Sequence, residues 1–170
     1  MTERNGEEEI EIRAKWNSSG QEERIRRDIV KHFRQCPIPD KEILQNLPLF
    51  LSRQNLSQIL FVHEMYQHIL DVHGVIMEFG VRWGRNLALY ESLRGIYEPF
   101  NHNRKIVGFD TFEGFPSVDQ KDGDDEIIDI GSYNVTRDYL SYLVKVLDYH
   151  EQESPISHIK KYEIIKGDAS

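Results

Sequence analysis

The stretch Gly74-Val75-Ile76-Met77-Glu78-Phe79-Gly80-Val81-Arg82-Trp83-Gly84 decides the fold. Val75 to Phe79 is a short apolar run holding one carboxylate and closed by Gly80, which predicts a buried strand entering a turn. Before it, Leu56, Ile59, Leu60, Val62, Tyr66, Ile69 and Leu70 recur at spacings of three and four. That spacing predicts an amphipathic helix over 53–72, with Ser52 as its cap and Gly74 as its end. After it, Leu89, Leu93, Ile96 and Tyr97 share a face of a second helix over 85–97, stopped by Pro99. The alternation continues with a strand over 105–109 ending in Asp110 and a long acidic loop holding Asp119, Asp122, Asp124, Asp125, Glu126 and Asp129. A helix over 136–149 carries Tyr139, Leu143, Val146 and Leu147 on one side, and a last strand over 162–166 runs into Gly167-Asp168-Ala169-Ser170. Helices alternating with strands in this way predict an α/β fold with a parallel sheet and right-handed crossovers.

Residues 1–40 have a different texture. Charges of both signs surround Ser18-Ser19-Gly20, and apolar residues are too sparse to offset the entropy of ordering a long segment. The segment reads as a poorly structured, charged lead-in, with a short helix over 22–33 whose Ile25, Ile29 and Phe33 lie four apart. Pro37-Ile38-Pro39-Asp40 breaks that pattern and marks a linker. The organisation expected is therefore a lead-in over 1–40, a helical region over 41–73 and a sheet-bearing core over 74–170.

Composition excludes several classes. The chain has 170 residues, 29% of them charged, with a net charge of −8, and a mean hydropathy of −0.57. Such a balance repels a phosphate backbone and argues against nucleic acid. No uncharged apolar run is long enough for a membrane span, and the start lacks the apolar centre of a signal peptide. Cys36 is the single cysteine, which fits a reducing, cytoplasmic setting and predicts a small packing residue. His63, His68 and His73 lie five apart, so a helix would not bring them to one metal, and no calcium-loop glutamate follows Asp119 at the required position. The acidic loop reads as a solvated lid, and no metal ligands are expected.

In an open parallel sheet, ligands lie beyond the carboxyl ends of the strands. Here each strand end joins a carboxylate to a nearby glycine: Glu78 with Gly80 and Gly84, Asp110 with Gly114, and Asp168 with Gly167. The first turn is not the dinucleotide fingerprint, because Arg82 and Trp83 stand between Gly80 and Gly84, and Glu78 would repel a pyrophosphate. The same objection disfavours an NAD-dependent enzyme. Asp110 lies about thirty residues past Gly80, where a βαβ unit places an acid to accept ribose hydroxyls. Three rim carboxylates around glycine turns predict a pocket for an adenosine that carries positive charge, namely S-adenosylmethionine. A bland role for each remains: strand-end carboxylates can cap a neighbouring helix, and glycines can permit close packing.

The segment 74–84, the run Gly108-Phe109-Asp110-Thr111-Phe112-Glu113-Gly114-Phe115-Pro116 and the end Gly167-Asp168-Ala169 together resemble the macrocin O-methyltransferase family of class I S-adenosylmethionine-dependent methyltransferases. Phe50-Leu51-Ser52-Arg53-Gln54 is similar to the helical region that these enzymes place before the core, so the resemblance covers residues 47–170. It implies a Rossmann-like methyltransferase core preceded by a helical region, and methyl transfer to a hydroxyl of a small molecule such as a sugar or natural product. By the resemblance the cofactor is held by Glu78, Phe79, Gly80, Val81 and Gly84 at the methionine end, Asp110, Thr111 and Phe112 at the ribose, and Gly167, Asp168 and Ala169 on the adenine side. The family's Mg²⁺ ligands and catalytic base follow later strands, so neither is named here, and a homo-oligomer is compatible with the pattern. About three strands are expected, the N-terminal half of such a sheet. The chain is accordingly expected to be a truncated form lacking activity by itself, the alternative being a non-catalytic binding module completed by a partner chain.

Overall fold

The computed structural model of the chain describes residues 19–114 and 135–167. Two compact units divide it, one formed by Lys15–Glu64 and the other containing Met65–Ser170. Elements described are α1 (Gly20–Arg34), α2 (Asp40–Ile43), a 3₁₀ helix (Leu44–Phe50), α3 (Arg53–His68), β1 (Ile76–Phe79), α4 (Arg85–Tyr97), β2 (Ile106–Asp110), α5 (Tyr139–Gln152) and β3 (Tyr162–Lys166). Among the described residues no helix is long and apolar enough to cross a membrane.

In the first unit the charged lead-in yields a longer helix than its apolar content foretells. The reason is local: Ser19 and Glu22 form a reciprocal capping box, with acidic residues in the first turn of α1 and Lys31, His32 and Arg34 in the last. None of its residues is buried. The Phe33 ring meets the Phe50 ring edge-on, with centroids 5.0 Å apart. Ser52 caps α3 as expected, its Oγ accepting the Asn55 N–H at 3.1 Å. Along that helix Val62 and Tyr66 are buried, whereas Leu56 and Leu60 are exposed, so only part of the expected apolar stripe is covered.

In the second unit β1, β2 and β3 form a three-stranded sheet in the order β1-β2-β3, parallel throughout, with Ile76 beside Ile106 and Ile106 beside Tyr162. This is the parallel α/β sheet that the alternation predicts, and the partial Rossmann-like core that the resemblance implies. Strands placed in chain order with right-handed crossovers put α4 and α5 on the same face, and the two helices pack side by side. Leu87 of α4, Leu143 and Leu147 of α5, and Ile106 and Tyr162 of the sheet make the core there, with Val81, Phe112 and Val135 closing it near the carboxyl rim. The opposite face carries Met77, Phe79 and Ile165, all exposed. The strand expected to be wholly buried is thus half-buried, with alternate residues of β1 open.

Two expectations are corrected by buried charge. α3 ends at His68 rather than at residue 72, because the Arg104 guanidinium takes the carbonyls beyond it: Nη2 donates to Ile69 O and Val72 O at 2.8 Å, and Nη1 to Gly74 O at 3.2 Å. Glu98 accepts from Arg104 Nε at 2.9 Å and from the Tyr66 hydroxyl at 2.6 Å, so the whole knot is satisfied. The second correction concerns α4, whose buried residues are Leu87, Glu91, Leu93 and Arg94, whereas Ile96 and Tyr97 face outward. Arg94 Nη2 donates to both Glu151 oxygens at 3.1 Å, and its Nη1 to Lys161 O at 3.2 Å. The Lys161 ammonium pairs with the same carboxylate.

Candidate cofactor site

The site is assembled at the carboxyl ends of β1 and β2, where two βα turns meet over one carboxylate. Asp110 ends β2. Its Oδ2 accepts the Arg82 N–H and its Oδ1 the Phe112 N–H, each at 2.6 Å. Arg82 (φ 48) and Phe112 (φ 58) are both left-handed, a conformation that non-glycine residues hold only where the surroundings fix it. The two amides aimed at Asp110 do this. Asp110 therefore organises both turns through their backbones, and its oxygens keep further lone pairs for another donor.

Glu78 occupies the same face of the sheet, one strand away, paired with Gly108 in register. Asn86, in the first turn of α4, donates from Nδ2 to Glu78 Oε1 at 2.8 Å, while Oε2 is buried with no hydrogen-bond partner among the described residues. Burial pushes the Glu78 carboxyl above the ordinary carboxylate range and Asp110 adds to this, against the Asn86 bond and the Arg85 charge. A buried carboxylate oxygen lacking a donor calls for a proton or a cation.

The glycines divide by role. Gly80 has φ +81, and a Cβ there would meet nothing within 4 Å among the described residues. Gly84 caps the N-terminus of α4 at φ +71, and a Cβ there would fall on the Leu143 side chain. Gly84 is thus a packing glycine as well as a turn glycine, the bland role allowed from sequence.

The other expected residues lie as follows. Phe79 points to the opposite face, 63% exposed, and stacks on Phe109 with centroids 5.0 Å apart. The Val81 side chain is buried in the core, leaving its backbone to the turn. Thr111 ties its own turn, its Oγ1 donating to Gly114 O at 2.8 Å. Phe112 is buried and also lines a cavity of about 730 Å³, shared with Glu113, Val135, Tyr139, Leu140 and Lys166. The Gly167 N–H donates to Asp110 O at 3.0 Å, which continues the ladder past β3. Asp168 and Ala169, and the acidic loop, lie outside the described residues. Among the described residues no group of three His, Cys, Asp or Glu side chains is arranged to hold a metal ion.

Sequence reasoning missed Asn86 and Tyr139. Asn86 stands eight residues past Glu78, at the second position of a helix, where an amide can reach back to a strand end. Tyr139 opens α5 and touches the glycine turn, a contact between distant segments that no local pattern signals.

No protein-family model matches the chain, and no curated protein does. Solved structures do match. The crystal structure of CalS11, a calicheamicin methyltransferase, is 42% identical with a TM-score of 0.87, over 92% of this chain and 62% of that one. An apo structure of CalS11, described as a TDP-rhamnose 3′-O-methyltransferase of calicheamicin biosynthesis, is 38% identical with a TM-score of 0.75, over 90% of this chain and 58% of that one. In sequence and in fold the chain is therefore similar to a solved O-methyltransferase, and it spans 62% and 58% of the length of these two chains.

Proposed function

We propose that residues 74–170 form the S-adenosylmethionine-binding part of an O-methyltransferase acting on a small-molecule hydroxyl, a sugar of a natural product, with 41–73 as its preceding helical region. The observation that carries this is the 42% identity to a calicheamicin methyltransferase over 92% of the chain. The rim chemistry supports it independently. Glu78 offers a carboxylate oxygen without a donor to a positively charged ligand, and Gly80 leaves room for that ligand to approach the backbone. Asp110 can accept ribose hydroxyls on lone pairs that its two backbone bonds leave over.

When bound, S-adenosylmethionine supplies an electrophilic methyl group: its bond to sulfur breaks as the acceptor oxygen bonds to carbon, and the hydroxyl proton passes to a base. What the residues of this chain contribute is placement. Holding the donor in line with an acceptor lowers the barrier chiefly by removing the entropy of bringing the two together. Glu78 orients through charge, Asp110 through hydrogen bonds, and the turn over 80–84 through shape.

Calorimetric titration of the protein with S-adenosylhomocysteine and with NAD tests this. Saturable binding of S-adenosylhomocysteine, at least tenfold tighter than NAD, is the expected result. NAD binding more tightly would overturn the proposal.

A further inference from the structure

We infer that Tyr139 is a positioning residue for the glycine turn, locking the Trp83 backbone from the start of α5 so that the turn meets the cofactor in one arrangement. This rests on the cofactor function proposed above. The turn over 80–84 concentrates unusual backbone: Gly80, Arg82 and Gly84 all have positive φ, at +81, +48 and +71. Such a segment keeps one conformation only if enough anchors hold it. Three of them are backbone donors: Gly80 N–H to Phe109 O at 2.9 Å, Gly84 N–H to Val81 O at 2.9 Å, and Arg82 N–H to Asp110 at 2.6 Å.

The Tyr139 hydroxyl adds a fourth anchor from a distant element, donating to the Trp83 carbonyl at 3.0 Å. The rings add a second hold. Trp83 and Tyr139 meet edge-to-face at 89° with centroids 4.7 Å apart, a favoured aromatic geometry. The Arg82 guanidinium lies over the Trp83 ring, 5.8 Å from its centre. Tyr139 also lines the cavity that Phe112 closes at the end of the second turn. One side chain thus touches the first turn and the wall of the pocket beside the second. Burial raises the proton affinity of its hydroxyl, which stays a donor throughout the neutral range.

The test is Tyr139→Phe, which keeps the ring and removes the hydrogen bond. Two measurements on the full chain decide it: hydrogen exchange of the Arg82 and Gly84 amides without ligand, and the affinity for S-adenosylhomocysteine. We expect both amides to exchange about 3- to 10-fold faster, as loss of one hydrogen bond implies, while the Leu93 amide deep in α4 keeps its wild-type rate. Affinity is expected to fall about 3- to 10-fold with it. Unchanged exchange at Arg82 and Gly84 would overturn the inference, and so would faster exchange with unchanged affinity. If the wild-type protein bound no S-adenosylhomocysteine while Tyr139→Phe still quickened the turn, the positioning role would stand and the cofactor function would fall.

Discussion

Glu78 at the rim and Glu91 in the seam between α4 and α5 are both carboxylates with buried oxygens lacking partners among the described residues, yet their surroundings differ in kind. Glu78 has Asn86 on one oxygen and open space beside the neighbouring Gly80. Glu91 is 3% exposed, and the cations near it, Arg94 and Lys161, are already committed to Glu151. Burial pushes the Glu91 carboxyl up to about 8, with Glu151 and Asp148 adding to the shift and Arg94 and Lys161 opposing it. Burial raises the proton affinity of both carboxyls, and the difference lies in what stands beside them: Asn86 and Arg85 at the rim, the charges of Arg94, Glu151, Asp148 and Lys161 in the seam.

The strongest way to break this contrast is to strip the seam of its neutralising anion. Glu151→Ala leaves the Arg94 guanidinium and the Lys161 ammonium buried without the carboxylate that both pair with, which should cost about 3–5 kcal/mol in urea unfolding. A loss below about 1 kcal/mol would mean that the ions do not hold the seam.

Next in size is the proton on Glu91. Its folded pKa, about 8, lies above the ordinary value of 4.5, so between these values the folded state binds more protons than the unfolded state. Stability contributed by this group is therefore full below the unfolded value and is lost as pH rises toward the folded one. Relative to Glu91→Gln, the wild-type protein should lose about 3 kcal/mol between pH ~5 and ~7.5. Parallel profiles for the two proteins would contradict the assignment.

Gly84→Ala sharpens the comparison from the rim side. Its φ of +71 and the Leu143 side chain both oppose a Cβ, and about 2 kcal/mol of stability should be lost. Gly80→Ala, with nothing within 4 Å of the new Cβ, meets only the backbone cost of its φ. A larger loss at Gly80 than at Gly84 would reverse the roles given to the two.

Much of this was legible in the sequence, for physical reasons that also mark where legibility stops. The bounds of α4 and β3 follow from apolar runs closed by Pro99 and Gly167, signals that act locally. The placing of Glu78 and Asp110 on one rim follows from the spacing of a βαβ unit, and the structure brings them to adjacent strands. The buried charges escaped notice because hydropathy counts Glu91, Arg94, Glu151 and Lys161 as solvent-facing. Only their spacing hinted otherwise, since Leu87, Glu91 and Arg94 continue one helical face, as do Leu143, Leu147 and Glu151. The partners of Asp110 were illegible for a different reason: they are amides of Arg82 and Phe112, whose left-handed backbones form only once the turns are held.

The central claim is that the Asp110 rim binds an adenosyl ligand, and the affinity of Asp110→Ala for S-adenosylhomocysteine tests it most directly. The substitution removes the acceptor proposed for ribose hydroxyls together with the clamp on the Arg82 and Phe112 amides. Calorimetry should show binding weakened at least about tenfold, because leaving hydroxyls without partners costs on the order of 1–3 kcal/mol. An affinity equal to that of the wild-type protein would contradict the account and remove Asp110 from the site.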